Sequence, residues 1–352
     1  MKGTPVSLSG RASVDPAVID MIDSVLAEHR RSRPPAALPE VAVTRDPGLW
    51  QRLEDLGLVR LTGAESAGGS GAGWYEAAEL LTAAVRHGVR IPLAEHDLLA
   101  CWLLEANQMP VDGALRTVCV IGEHGIASFV PWAGVADRIV VVWSAAGAFH
   151  MADIDAAELD ITRGANLIGE PRDTVAVDVA ALRGLPVAAD LVAQLGLRSA
   201  LVRSIQGCAA LDQILHLSIE HATARIQFGR PLSKFQAVQN LISDIAAEAA
   251  LARTATEAAL NVAVTSDWSA SNLDFLVAVA RSCLGHATSV VVRNAHQVHG
   301  AIGTTREHRL HEYTRAALAW RSEFGSVHDW DDRLTTAAVQ AGARGLWGLI
   351  TG

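Results

Sequence analysis

The chain has 352 residues, half of them hydrophobic, and a formal net charge of −9 at pH 7. That length and apolar content support a large core spread over two or three domains and exclude an unfolded chain. The acidic balance, with no basic run interleaved with aromatics, excludes a nucleic-acid-binding surface.

Met1 to Gly10 carries no charged-then-apolar leader pattern, and no apolar run reaches membrane-spanning length. Cys101, Cys119, Cys208 and Cys283 are scattered without metal or redox spacing, so they read as reduced thiols of a cytoplasmic chain. From about Asp15 to Asp112 the apolar spacing is helical: Ile19, Ile22 and Leu26 give one helix, and Trp50, Leu53 and Leu56 another. Pro34-Pro35 separates them, and a third helix starts at Trp74 with Ala77, Leu80, Leu81 and Val85 inward. The intervening Gly68-Gly69-Ser70-Gly71 has no preceding strand and no Lys at P-loop spacing, so it reads as a connecting loop. Pro92 to Leu104 continues the helices.

From about Ala114 to Pro186 the pattern shortens and becomes β-branched. Val118 to Ile121, Arg138 to Val142 and Asp173 to Val177 read as strands of a small antiparallel β-domain, with glycines at the turns. From Leu191 the chain is helical again. Leu201, Ile205, Cys208, Leu211, Leu215, Ile219, Ala222 and Ile226 recur in steps of three and four, and Gly229 stops them. Pro231 fixes the exit, and Phe235, Val238, Ile242, Ile245 and Ala249 restart the period on an antiparallel neighbour. Arg225 stands at the joint. Its guanidinium is a planar fork suited to a phosphate, with Gln227 and Gln236 as neutral donors; the bland alternative is an arginine complementing a helix dipole. A third long helix runs through Leu273, Leu276, Val279, Cys283, Ala287 and Val291. At its end Gly300 and Gly303 remove side chains where backbone amides would approach a ligand, beside Gln297. The bland alternative there is a glycine-terminated helix.

The predicted fold is therefore mainly α with a small β-domain. Residues 1–112 form an N-terminal helical domain, 113–187 a middle β-domain, and 188–352 a C-terminal helical bundle.

Two blocks carry a family resemblance. The first is Arg225-x-Gln227-Phe228-Gly229-x-Pro231-Leu232-x-x-Phe235-Gln236, with Asp244 and Arg253 after it. The second is Asn294-Ala295-His296-Gln297-Val298-His299-Gly300-Ala301-Ile302-Gly303, followed by Glu307 and Arg315. In this order and spacing they resemble the acyl-CoA dehydrogenase family of flavoproteins. The resemblance implies an N-terminal helical domain, a middle β-domain and a C-terminal four-helix bundle. It implies FAD as cofactor, with Arg225, Gln227, Phe228, Gln236, Gln297, Gly300 and Gly303 at a flavin held mainly by a neighbouring subunit. It further implies an acyl-CoA substrate and an electron-transfer flavoprotein as acceptor.

The match departs from the family at its catalytic parts. A Thr-Glu-Pro-x-x-Gly-Ser-like loop that covers the flavin ring in the family is absent, since Glu123-His124-Gly125 to Phe129 is too short for it. The family's usual catalytic base falls on Phe324, with the acid Glu323 one residue early, and its alternative position falls near Ser199-Ala200, where no acid stands. Asp153, Asp155, Asp329, Asp331 and Asp332 read as solvated carboxylates. His296 and His299 form a pair without a third ligand at helical spacing, so no metal site is expected. The favoured expectation is a subunit that completes the FAD site of a homologous partner in a hetero-oligomer. The alternatives are a self-sufficient homo-oligomer using Glu323 as base, and a structural homologue that binds no flavin.

Overall fold

A computed structural model of the chain describes residues 14–32, 43–122 and 124–351. The expectations placed on Met1 to Gly10, Pro34-Pro35 and Glu123 lie outside the described residues.

Helix α1 (Pro16–Ser32) buries Ile22, Val25 and Leu26. Helix α2 (Pro47–Asp55) begins where Asp46 Oδ1 accepts from the amides of Gly48 and Leu49 and a proline fills the first helical position. Helix α3 (Trp74–Arg86) follows the glycine loop, where a Cβ on Gly69 would collide with the Gly63 backbone. The expected continuation of the helices then departs from regularity, because Ala94–Cys101 winds as a π-helix before α4 (Trp102–Ala106). The wider turn lets three consecutive polar residues be buried toward different neighbours. Glu95 accepts from Arg203, His96 Nδ1 accepts from the Arg116 amide, and Asp97 accepts from the amide and hydroxyl of Thr62. Burial raises the Asp97 carboxyl to about 6 against the opposing pull of Thr62, and burial lowers His96 to about 3.

Seven strands follow: β1 (Arg116–Val120), β2 (Ile126–Pro131), β3 (Arg138–Ala145), β4 (Ala148–Asp155), β5 (Asp160–Thr162), β6 (Arg172–Ala176) and β7 (Leu185–Val187). They form two sheets, β1-β3-β4-β7 and β2-β6-β5. Cys119, Ile121, Ala127, Val130, Ile139, Val141 and Val175 fill the space between the sheets. The expected all-antiparallel arrangement is corrected at β1 and β3, which are parallel with Val118 opposite Val140. The chain leaves the first sheet to make β2 in the second and so returns in its original direction. Val118, Val140, Val142 and Met151 on the other face join the core of the N-terminal helices. The expectation of a solvated Asp153 is also corrected: its carboxylate accepts from Arg116 Nη2 at 3.0 Å and Arg138 Nε at 2.8 Å, and it is largely buried.

The remaining helices are α5 (Ala189–Ala224), α6 (Gln236–Thr265), α7 (Leu273–His299), α8 (Leu310–Trp320) and α9 (Val327–Thr351), the last kinked at Gly342. The apolar stripe of α5 is buried at Leu201, Ile205, Cys208, Leu211 and Ile214, then exposed at Ile219 and Ile226. The stretch Leu273–Thr304 is apolar and long enough to cross a membrane, contrary to expectation, although half of its most apolar window is buried. Val277, Ala280, Leu284, Ala287 and Val291 of that stretch lie in the core.

Candidate functional site

The first candidate is the arm between α5 and α6. Helix α5 ends at Ala224, ahead of Gly229, because Arg225 turns to extended backbone. The chain then makes a hairpin of β8 (Ile226–Gln227) and β9 (Arg230–Pro231), with Gln227 opposite Arg230. Its two central residues, Phe228 and Gly229, both have positive φ, at 52° and 80°. Glycine takes that conformation freely; phenylalanine takes it under strain. Gly229 is therefore the hairpin turn rather than the helix stop.

The arm projects from the protein. Arg225, Gln227, Phe228 and Gln236 are exposed, and Phe228 is 92% exposed. Gln236 Nε2 donates to Asn240 at 3.0 Å, whereas the side chains of Arg225 and Gln227 donate no hydrogen bond among the described residues. Motif residues Asp244 and Arg253 serve the bundle: Asp244 accepts from Asn294, and Arg253 pairs with Asp212 at 2.8 Å.

The Gln297 block opens onto the same end. His221, in the last turn of α5, stacks on His299, the last residue of α7, with ring centroids 4.6 Å apart. Arg225 follows His221 by one helical turn and Gln297 precedes His299 by two residues, so the two blocks are neighbours. Gln297 is exposed, as is Gly300, whose φ of 62° and ψ of −143° only glycine adopts readily. Gly303 differs from expectation. It is buried, and a Cβ there would lie 2.7 Å from the Cβ of His299, so its missing side chain serves packing. Free guanidinium, free amides and exposed backbone together suit a phosphate-bearing ligand.

The second candidate is a cleft of about 690 Å³ between the β-sheets and the α8 end, lined by Phe129, Asn166, Arg172, Glu323 and Phe324 among others. Strand β1 ends at Val120 and β2 begins at Ile126. Phe324 sits on the cleft with a φ of 56°, its ring 5.1 Å from the Arg203 guanidinium. Glu323 beside it is held on both sides. Arg172 Nε donates at 2.7 Å, Arg203 Nε at 2.6 Å and Asn166 Nδ2 at 3.1 Å. The network continues from Arg203 to Glu95 at 2.6 Å and from Arg172 to Glu170 at 2.8 Å, and Trp320 Nε1 caps Glu170.

A base for an α-proton at Glu323 requires a raised pKa. Burial does push it upward, but Arg172 and Arg203 outweigh burial and hold the carboxyl at about 2. Ser199 and Ala200 are buried within α5, where Ser199 Oγ donates to the Leu195 carbonyl. Of the remaining acids, Asp329 caps α9 through Ser326, and Asp331 accepts from Ser282 and His286. Arg203 and Arg172 went unnoticed in the sequence. An arginine between Leu201 and Ile205 on an apolar stripe is the trace that marks a buried, paired charge.

The model of the acyl-CoA dehydrogenase C-terminal domain matches residues 197–327. The chain is 26% identical over 307 residues to acyl-CoA dehydrogenase IpdE2 of Mycolicibacterium smegmatis, covering 85% of this chain and 90% of that protein. It is 28% identical over 335 residues to acyl-CoA dehydrogenase FadE27 of Mycobacterium tuberculosis, covering 84% and 88%. The fold is similar to a chain of the ChsE4-ChsE5 complex from Mycobacterium tuberculosis, with a TM-score of 0.78 at 22% identity over 93% of this chain and 97% of that one.

Proposed function

The chain belongs to the acyl-CoA dehydrogenase family, and on that basis we propose that it acts in α,β-dehydrogenation of an acyl-CoA thioester as the subunit that completes a partner's FAD site. The observation that carries this reading is a division of labour. The donors that would reach a neighbour's flavin, Arg225, Gln227 and Gln297, are exposed and uncommitted, while Glu323, the acid that lines the chain's own cleft among the described residues, is locked to two arginines.

FAD, when bound, supplies the hydride acceptor of such a reaction. Arg225 would hold its diphosphate, with Gln227 and Gln297 as neutral donors and the open backbone at Gly300 beside them. Phe228 and Ile226, held out at the hairpin, offer the apolar contact that keeps the arm on the partner and water away from the charge pair. The base would come from the partner. The similar chain from Mycobacterium tuberculosis belongs to a ChsE4-ChsE5 complex, which supports a homologous acyl-CoA dehydrogenase subunit as that partner. An electron-transfer flavoprotein-type acceptor completes the proposal. The self-sufficient alternative depends on Glu323 as base, and the environment of Glu323 opposes it.

The test is co-expression with the nearest encoded homologue, followed by mass measurement and a visible spectrum. Two different chains in equal number, with about one FAD per two chains, are expected from closed pairing of one complete and one completing subunit. A homo-oligomer of this chain alone, with one flavin per subunit and acyl-CoA oxidation, overturns the proposal.

A further inference from the structure

Three histidines meet where α5, α7 and the lead into α8 converge. His221 stacks on His299 at 4.6 Å, His299 meets His308 at 4.6 Å edge-on, and His221 lies 5.9 Å from His308. One ring nitrogen from each lies within 4.8 Å of the others. The sequence paired His299 with His296 instead, and His296 is outside this group.

His299 is the anchor. It is 95% buried, and its Nδ1 donates to the Ala295 carbonyl at 2.8 Å, which fixes the tautomer and leaves the lone pair on Nε2. That Nε2 is itself buried, and no hydrogen bond of ordinary geometry reaches it among the described residues, although the Leu217 carbonyl also acts on the ring. Leaving a buried acceptor poorly paired destabilises the fold. Packing alone gives no reason to place an imidazole there, because an apolar ring of similar shape avoids the cost.

We propose that His221, His299 and His308 form a binding site for a divalent transition metal of the zinc or cobalt class, which clips the end of α5 to the end of α7. Imidazole nitrogen is a ligand such ions favour, and three histidines with one position left to solvent is an established ligand set. The hydrogen bond from His299 Nδ1 to a carbonyl is the outer-shell support that orients a ligating imidazole. Nitrogens around a tetrahedral ion stand roughly 3.3 Å apart. The half-buried His221 and His308 must therefore turn inward while His299 stays fixed. His308 gives up something in doing so: its Nδ1 accepts from the Leu310 amide at 3.1 Å, and ligation through Nε2 moves the proton onto Nδ1. Of the neighbouring charges, Arg225 beside His221 and Arg309 beside His308 oppose a cation, and Glu220 favours it. The site is thus one of moderate affinity. It is independent of the flavin proposal, although it would steady the two blocks that carry Arg225 and Gln297.

The experiment uses the full chain, stripped of metal with a chelator and titrated with Co²⁺, then Zn²⁺. One Co²⁺ per chain with visible ligand-field bands, displaced by Zn²⁺, is expected. His221→Ala and His308→Ala should each weaken binding at least about tenfold. Both positions are partly exposed, so the fold should tolerate the changes, and His216→Ala, exposed on the same helix, should leave binding unchanged. Titration without bands, or bands that persist undiminished in the double His221→Ala, His308→Ala variant, overturns the proposal.

Discussion

Arg203 and Glu323 stand 120 residues apart in sequence, yet Arg203 Nε donates to Glu323 Oε2 at 2.6 Å, and both side chains are buried or nearly so. Replacing Glu323 by Gln removes the charge shared by Arg203 and Arg172 while keeping the shape. Breaking one partner out of a buried pair costs about 3 to 5 kcal/mol. Urea unfolding of the isolated chain should register that loss, and an unchanged midpoint would show that the network does not hold the fold.

The same group sets a pH dependence. The folded carboxyl is held at about 2, below its ordinary 4.5, so its contribution to stability is present above 4.5 and is lost as pH falls toward 2. Chemical denaturation between pH 5 and pH 2 should show stability falling in the wild type, with a shallower fall in Glu323→Gln. Equal slopes in the two proteins would place the titrating group elsewhere.

Arg225→Ala should weaken FAD retention in the assembled complex roughly ten- to hundred-fold, since a charge-assisted pair contributes about 1.5 to 3 kcal/mol. The side chain is exposed, so the variant should melt with the wild type. Lys at this position should restore only part of the affinity, lacking the planar fork. Flavin release on dilution measures both, and equal release from wild type and Ala variant would remove Arg225 from the site.

Phe228→Ala tests the arm as a contact. Truncating an aromatic anchor at the centre of an interface costs on the order of 2 kcal/mol of association, whereas the isolated chain loses little, because the ring is 92% exposed and meets Phe235 only edge-on at 6.2 Å. Sedimentation of the co-expressed subunits should show earlier dissociation on dilution. Association identical to wild type would leave the exposed ring without this role.

Gly303→Ala should destabilise the chain by about 1 to 3 kcal/mol, because the new methyl falls 2.7 Å from the His299 Cβ and 3.1 Å from Leu310 Cδ2. Thermal melting gives the comparison. A matched Gly300→Ala variant meets no atom within 4 Å and suffers only from its positive φ, which separates crowding from backbone strain.

Much of the C-terminal bundle was legible, because the apolar steps from Leu201 to Leu211 and from Ile245 to Ala249 are governed by helix period alone. The strands were legible only where β-branched residues run together, as in β1, β3 and β6. Strand β4 escaped because only Met151 among its residues is fully buried, so the sheet pairing rather than the sequence defines it. The hairpin at Phe228 was hidden because nothing in a helical period announces a phenylalanine with positive φ. Beyond the trace at Arg203, the pairing within the Arg203, Glu95, Glu323 and Arg172 network and the meeting of the three histidines were illegible for a plainer reason. Their members are spread over much of the chain, and only tertiary packing reveals that they meet.

The buried ion network also constrains the order in which the chain can be completed. Glu95 waits for Arg203, 108 residues later, and Arg203 waits another 120 for Glu323. During synthesis, which adds about 5 to 20 residues per second, the early charges must stay hydrated until the last carboxylate leaves the ribosome. A chain that stops before Glu323 therefore leaves Arg172 and Arg203 without the carboxylate that they share.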